Sequence, residues 1–218
     1  MTADIKLVIF DCDGVLIDSE ILSMQAWQEV LTPYDIAITS SYFAQNFLGK
    51  SVQHVENQIK NDFNVQLSPK LIDEFHLRLK RNFSQSLTTT VGIKDLLDSL
   101  SVKYCLATSS SVDRTNHALA CTQLTAYFRN NLFTRSLVKR GKPAPDLFLY
   151  AAEKMGFTPN ECLVIEDSQA GIEAALAANM EVIHYTGGSH LQDLTSNNKN
   201  AIRSWNSFKA RYPSLISN

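Results

Sequence analysis

The sequence predicts an α/β protein, a doubly wound parallel sheet with a small helical cap domain. Two observations carry this prediction. After about residue 88, short apolar runs alternate with segments of helical spacing, as in parallel strands joined by helices. Between the first apolar run and that point only helical spacing occurs, which indicates an insertion. We therefore expect an α/β core over 1–16 and 88–218 and a helical cap over 17–87.

The first predicted strand is the apolar run Leu-Val-Ile-Phe at residues 7–10. A continuous apolar run is typical of a strand buried on both faces of a sheet. Asp11 follows it directly and Asp13 comes two residues later, at the strand end where open α/β sheets bind ligands. Gly14 then allows the chain to turn sharply.

Two carboxylates this close repel each other, so we expect a cation between them or a proton on one of them. Mg²⁺ suits the first option because it takes oxygen ligands. The second option would make Asp13 a proton donor. Both hold together if Asp11 offers its carboxylate and Asp13 only its backbone carbonyl to the metal, which leaves the Asp13 side chain free to move a proton. The alternative is that both are turn residues beside Gly14.

The remaining elements follow in order along the chain. Ser19 is predicted to cap a helix over 20–31 that ends before Pro33. Further cap helices are predicted over 40–48, 51–61 and 69–84. The core continues with helices near 96–100 and over 112–121, 146–155 and 169–178, and with strands over 104–107, 131–133, 162–165 and 181–184. Residues 201–218 form a closing helix or a tail.

Polar residues follow three more of these apolar segments. Thr108 and Ser109 come after the strand over 104–107, where a hydroxyl and helix amides can face an oxyanion or simply cap the helix. Lys142 lies in a basic loop before a predicted helix and is fixed by the neighbouring prolines, which favours a functional role over a solvated charge. Glu166 and Asp167 close the strand over 162–165 and would be poor neighbours without a cation, although Asp167 could also act as a helix cap.

These four groups of polar residues, in this order, resemble the sequence motifs of the haloacid dehalogenase superfamily. Its signature is Asp-x-Asp-Gly-[Thr/Val] after the first strand, Ser or Thr after the second, Lys before a helix, and an acidic pair after the fourth. Within that superfamily the chain is similar to the branch of sugar-phosphate phosphatases and β-phosphoglucomutase, which show Asp-Gly-Val-Leu-x-Asp-Ser-Glu and Glu-Asp-Ser. The resemblance covers the core, about 1–16 and 88–190, and the position of the cap.

The resemblance implies a magnesium-dependent phosphatase acting on a small phosphomonoester, a sugar or polyol phosphate. Asp11 would be the nucleophile that forms an aspartyl-phosphate, and Asp13 the general acid and base. The metal would be held by Asp11, the carbonyl of Asp13 and Asp167, with Glu166 as a direct or water-mediated ligand. Thr108, Ser109 and Lys142 would bind the phosphoryl group. In the cap, Lys50 is the candidate substrate contact.

Rival functions are weighed on the same residues. A true dehalogenase lacks the second acid and the acidic pair, and a phosphonate hydrolase of the superfamily needs a cap lysine, of which none occurs between Lys6 and Lys50. For a β-phosphoglucomutase-like sugar phosphomutase, the family's cap histidine and arginine would fall at Ser23 and Val52. A catalytically silent small-molecule or protein-binding module is the non-enzymatic alternative.

Composition limits the partners. The 218 residues are 44% hydrophobic and carry a formal net charge of −2, which offers no footprint for nucleic acid or an anionic membrane. No cationic stretch with a signal-length apolar segment begins the chain and no membrane-length apolar run occurs, so we expect a cytoplasmic protein that binds a small phosphorylated metabolite, with no obligate protein partner.

The cysteines lack paired spacing and are predicted to be small buried hydrophobes: Cys12, Cys105, Cys121 and Cys162.

Overall fold

A parallel sheet runs through the centre of the computed structural model, which describes residues 4–191 and 200–217. Within these residues it has six strands: β1 (Leu7–Phe10), β2 (Lys103–Thr108), β3 (Leu132–Thr134), β4 (Cys162–Glu166), β5 (Glu181–Tyr185) and β6 (Ala201–Ile202). Their spatial order is β3-β2-β1-β4-β5-β6 and every pairing is parallel. The strand order reverses beside β1, so the carboxyl end of β1 opens into the crevice where such sheets bind ligands.

Helices cover both faces of the sheet. The core helices are α5 (Ile93–Ser99), α6 (Val112–Cys121), α7 (Thr125–Phe128), α8 (Asp146–Met155), α9 (Gln169–Ala177) and α10 (Trp205–Arg211). Alternate residues of β1 pack in opposite directions: Val8 and Phe10 join one apolar cluster, and Leu7 and Ile9 join the other. The fold is therefore the doubly wound α/β architecture that the sequence predicts.

A block of helices lies between β1 and α5. These helices are α1 (Glu20–Leu31), α2 (Ser40–Asn46), α3 (Val52–Phe63) and α4 (Pro69–Ser86). Trp27 of α1 stacks on Phe75 of α4 with ring centroids 3.9 Å apart, which buries the apolar stripes of both helices. The division into a core and a cap at residues 17 and 87 stays a prediction.

The chain passes between the sheet and this helical block through two segments that pair with each other. The N–H of Asp18 donates to the carbonyl of Thr88, and the N–H of Thr90 donates to the carbonyl of Leu16, each at 3.0 Å. Ile17 forms an antiparallel bridge with Thr89 between them. We call these two segments, 16–18 and 88–90, the neck.

Two predicted details differ from the structure. The described part of the closing segment, 201–217, is neither a plain helix nor a tail, because it adds the two-residue strand β6 before α10. A two-residue strand is too short to show an alternating pattern. The four-residue helix α7 was also not predicted. All four cysteines are free and three are fully buried, and no helix in the described part of the chain is long and apolar enough to cross a bilayer.

Candidate active site

Asp11 lies directly beyond β1, where its backbone N–H still donates to Ile165 of β4 at 3.0 Å. This bond extends the parallel ladder by one residue and fixes the direction of the side chain. The Asp11 side chain is 10% exposed, and its Oδ1 accepts a hydrogen bond from Lys142 Nζ at 2.6 Å. Burial raises the pKa of Asp11 well above its ordinary value, and the neighbouring Lys142 opposes that rise.

Lys142 reaches this carboxylate from the loop before α8, and its side chain is 2% exposed. Its ammonium donates to Asp11 Oδ1, to the carbonyl of Ala107 at 3.0 Å and to Glu166 Oε1 at 2.7 Å. Burial alone would lower the pKa of Lys142, but Asp11 and Glu166 together hold it above its ordinary value. Lys142 is therefore a fixed cation whose three protons are all directed at acceptors.

Carboxyl groups from the ends of β1 and β4 form a buried acidic triad: Asp11, Glu166 and Asp167. One donor atom from each lies within 4.8 Å of the other two. Burial also raises the pKa of Asp167 well above its usual range, and Glu166 adds to the rise. Oδ2 of Asp167 is buried and has no hydrogen-bond partner. Three crowded, buried carboxyl groups fit a hard divalent cation such as Mg²⁺, which takes oxygen ligands.

Glu166 differs from the other two acids of the triad because its oxygens already have partners. Oε1 accepts from Lys142, and Oε2 accepts from the N–H of Ser168 at 3.0 Å and from its hydroxyl at 2.9 Å. Ser168 also caps α9 by accepting from the N–H of Gly171. The cap of this helix is thus Ser168, and Asp167 is not needed for that role.

Asp13 is held by three donors. Ser19 Oγ donates to Oδ1 at 2.6 Å, Ser110 Oγ to Oδ2 at 2.7 Å, and Arg114 Nη2 to Oδ1 at 2.8 Å. Burial would raise the pKa of Asp13, but Arg114 and the two hydroxyl groups lower it below the ordinary value. In this arrangement Asp13 is a carboxylate.

The contact from Ser19 corrects one prediction. Ser19 does precede α1, but its backbone is helical and its side chain makes no capping hydrogen bond. The hydroxyl is directed at Asp13 instead. An N-cap residue normally has an extended backbone that brings its hydroxyl to a helix N–H, whereas Ser19 has helical dihedral angles (φ −91°, ψ −19°) and its side chain is not placed to accept one.

Thr108 is the last residue of β2, one residue further along the strand than predicted. Its hydroxyl accepts from the N–H of Ser110 at 3.1 Å. Ser111 caps α6, so Thr108 does not cap that helix. Thr108 and Ser109 both line the same cavity as Asp11 and Lys142.

A cavity of about 200 Å³ separates these strand ends from the helical block. Asp11, Asp13 and Asp167 lie on its sheet side. The exposed Lys50 lies on its helical side, together with Ser23 and Val52. The aromatic rings of Trp27, Phe43, Phe47 and Phe75 complete that wall. The structure therefore brings all the predicted site residues to one cavity, while their roles stay predictions.

Three residues at this place were not singled out from the sequence. Arg114 is on α6, His76 is on α4, and both line the cavity. His190, in a turn after β5, lies beside Asp167. Arg114 and His190 are far in sequence from every motif they contact, and a lone histidine or arginine on a helical pattern carries no local signal.

Comparison with known proteins agrees with this geometry. The family model of the haloacid dehalogenase-like hydrolases matches residues 8–185, so the chain belongs to that family. The 6-phosphogluconate phosphatase of Escherichia coli (strain K12) is 25% identical over 187 residues, 85% of each chain. The phosphorylated carbohydrates phosphatase of Thermotoga maritima is 31% identical over 183 residues, 82% of this chain and 84% of the relative.

A solved structure supports the same assignment. A haloacid dehalogenase-like protein of unknown function from Agrobacterium tumefaciens str. C58 superposes with a TM-score of 0.83 and 31% identity, covering 97% of this chain and 99% of the other. The expected class, a phosphomonoester hydrolase of the haloacid dehalogenase type, is confirmed by the family match together with the phosphatase relatives.

Proposed function

We propose that this protein is a magnesium-dependent phosphatase that hydrolyses a small sugar or polyol phosphate through an aspartyl-phosphate on Asp11. The observation that carries the proposal is the placement of Asp11. Its buried carboxylate is hydrogen-bonded to Lys142, adjoins Asp167 and opens into a cavity of about 200 Å³. A nucleophile beside a fixed cation suits attack on a phosphoryl group, whose oxygens carry the charge of the transition state.

In the first step a carboxylate oxygen of Asp11 forms a bond to phosphorus while the ester P–O bond breaks. The departing oxygen takes a proton from Asp13. In the second step Asp13 removes a proton from water and the water oxygen bonds to phosphorus. The bond between phosphorus and the Asp11 oxygen then breaks, which releases phosphate and restores the Asp11 carboxylate. Splitting the displacement in this way replaces one difficult step by two easier ones.

Asp13 must change partners during this cycle. Arg114, Ser19 and Ser110 hold it as a carboxylate, the form needed for the second step. To carry a proton in the first step it must leave the guanidinium of Arg114, because a cation at hydrogen-bond distance favours the ionised form. The arrangement described here is accordingly the one suited to activation of water.

The phosphoryl oxygens would be contacted by Lys142, Thr108 and Ser109. Asp11, Asp167 and the backbone carbonyl of Asp13 would hold Mg²⁺, with Glu166 acting through water because both its oxygens are engaged by Lys142 and Ser168. When bound, the ion would neutralise part of the phosphoryl charge and so reduce repulsion between Asp11 and its substrate.

The cavity and the relatives support the proposed substrate class. The two relatives named above are phosphatases for 6-phosphogluconate and for phosphorylated carbohydrates. A cavity of about 200 Å³ with an aromatic wall and Lys50 at its rim suits a small polyhydroxylated leaving group. Lys50 is the proposed cap contact.

The test is phosphate release from a panel of sugar and polyol monophosphates. Asp11→Asn should lower turnover by about 1,000-fold, or about 4 kcal/mol in the barrier, because an amide does not attack phosphorus. Asp95→Asn, an exposed aspartate of α5, is the matched control and should behave as wild type. EDTA should abolish activity and excess Mg²⁺ should restore it. Turnover of Asp11→Asn within about tenfold of wild type, or full turnover in EDTA, contradicts the proposal.

A further inference from the structure

His190 lies in a turn that the structure fixes against the neck. The turn, Ser189–Leu191, follows β5. The N–H of Ser189 donates to Asp18 Oδ1 at 3.1 Å, and the N–H of Leu191 donates to the carbonyl of Gly188 at 3.0 Å. Asp18 thereby fixes the turn to the neck, and the His190 ring is buried, with 7% of its side chain exposed.

The ring of His190 meets the carboxylate of Asp167. Nε2 lies 3.0 Å from Asp167 Oδ2, and the two side chains are 7% and 3% exposed. The N–H is not aligned well enough for a hydrogen bond, so Oδ2 and both ring nitrogens stand without a partner. Buried polar atoms left unpaired are costly, and a hydrogen bond from Nε2 to Oδ2 would satisfy two of the three at once.

Two glycines make room for this contact. A Cβ at Gly188 would lie 2.7 Å from His190 Cε1, and one at Gly14 would lie 2.8 Å from the same atom and overlap Asp167 Oδ2. Gly14 has a φ of +78°, which also favours glycine, whereas Gly188 is not in that region. At Gly188 the need for a glycine is thus a matter of space, around the His190 ring and around the backbone carbonyl of Gly14, which such a Cβ would meet at 2.9 Å.

We propose that His190 is a positioning residue for the metal site: it donates from Nε2 to Asp167 Oδ2 and so keeps the other carboxylate oxygen directed at the ion. The inference rests on the proposed magnesium site. His190 is not itself a ligand, because the donor atoms that lie within 4.8 Å of one another in the described residues come from the acidic triad alone.

The backbone of Asp167 is fixed separately. His184 of β5 contacts the carbonyl of Asp167 through its ring Nε2 at 3.1 Å. With the backbone held by His184, the remaining freedom of Asp167 is rotation of its side chain, and His190 is the group placed to limit it. Partners of this kind behind metal ligands are typically worth 10- to 100-fold in metal affinity.

The experiment measures Mg²⁺ binding to the phosphate-free protein by calorimetry at one pH, about pH 8, where histidine is neutral. His190→Leu should raise the Kd for Mg²⁺ by about tenfold or more. His190→Gln places an amide N–H near the position of Nε2 and should stay within about threefold of wild type. His54→Leu, an exposed histidine of α3, is the matched control and should leave the Kd unchanged.

Two further measurements separate this role from a structural one. Thermal unfolding in EDTA should show His190→Leu and His190→Gln folded alike. His190→Ala should weaken Mg²⁺ binding as His190→Leu does, because it also removes the ring, so the inference is tested even if the bulkier leucine prevents folding. A Kd for His190→Leu within about twofold of wild type, or equal weakening by leucine and glutamine, overturns the inference alone. No Mg²⁺ binding by wild type overturns the metal site and the inference with it.

Discussion

Glu20, the first residue of α1, is a buried carboxyl group on the wall of the cavity. Its pKa is raised to about 8, first by burial and then by the charge of Asp13. In the unfolded chain the same group titrates near 4.5. Because the folded state holds the proton more tightly, ionisation of Glu20 opposes folding, and this cost grows as the pH rises from about 4.5 to about 8.

Replacing Glu20 by glutamine should therefore stabilise the protein at neutral and alkaline pH and have little effect near pH 4, where the carboxyl is protonated in both states. The measurement is the unfolding temperature of wild type and Glu20→Gln in EDTA across this range. The difference between the two unfolding temperatures should increase up to about pH 8 and then become constant. A difference that does not change with pH would show that Glu20 does not titrate in this way.

At the scale of elements, α9 owes its close approach to β4 to one residue. A Cβ at Gly171 would overlap the Glu166 carboxyl group, including the oxygen that accepts from Lys142. Helix propensity alone favours alanine over glycine by about 1 kcal/mol. Steric overlap opposes that preference, so the glycine preserves the Lys142 contact at the expense of helix stability.

Gly171→Ala should therefore lower kcat/KM for the best substrate by at least about tenfold, because Glu166 must move and Lys142 loses an acceptor. Glu173→Ala, on the exposed face of the same helix, is the control and should retain wild-type activity. Equal activity of the two variants would show that Glu166 can shift without consequence for Lys142.

The elements also show what sequence can predict here. Asp11, Thr108 and Asp167 could be placed together because parallel strands end at one edge of a sheet, so their positions follow from local patterns. Ser19 was predicted to be a helix cap because it directly precedes a helical pattern, yet its hydroxyl donates a hydrogen bond to Asp13.

Contacts across long sequence distances were not predictable in this way. Arg114 reaches Asp13 from 101 positions further along the chain, and nothing in the spacing of α6 distinguishes it from a solvated charge. His190 meets Asp167 only because a turn after β5 folds back against Asp18. Such pairs depend on tertiary packing and not on periodicity.

At the scale of the whole molecule, in the proposed reaction the cavity between sheet and helices would determine whether the phosphoryl group goes to water or back to a sugar. Ser23 and Val52, where a mutase of the family carries ionisable groups, line the cavity without charge. His76 of α4 also lines it, so the helical side does hold one ionisable ring that was not considered from the sequence. A mutase must exclude water from the aspartyl-phosphate while it turns its intermediate around.

We expect hydrolysis to dominate. With β-glucose 1-phosphate, a trace of the 1,6-bisphosphate and Mg²⁺, glucose 6-phosphate should form no faster than free phosphate is released. Both products are followed in the same reaction, with His76→Leu beside wild type. Glucose 6-phosphate accumulating much faster than free phosphate would assign the protein to the sugar phosphomutases. Loss of glucose 6-phosphate formation in His76→Leu would then show that the His76 ring is needed for the transfer.

The neck has a consequence for how such a protein can change over evolution. Its two segments are hydrogen-bonded to each other, so the residues between them leave and rejoin the sheet at a single point. The entropy of closing such a loop rises only with the logarithm of its length. Natural variation can therefore lengthen, shorten or exchange the inserted helices, and with them the substrate, while the strand register that positions Asp11 is inherited unchanged.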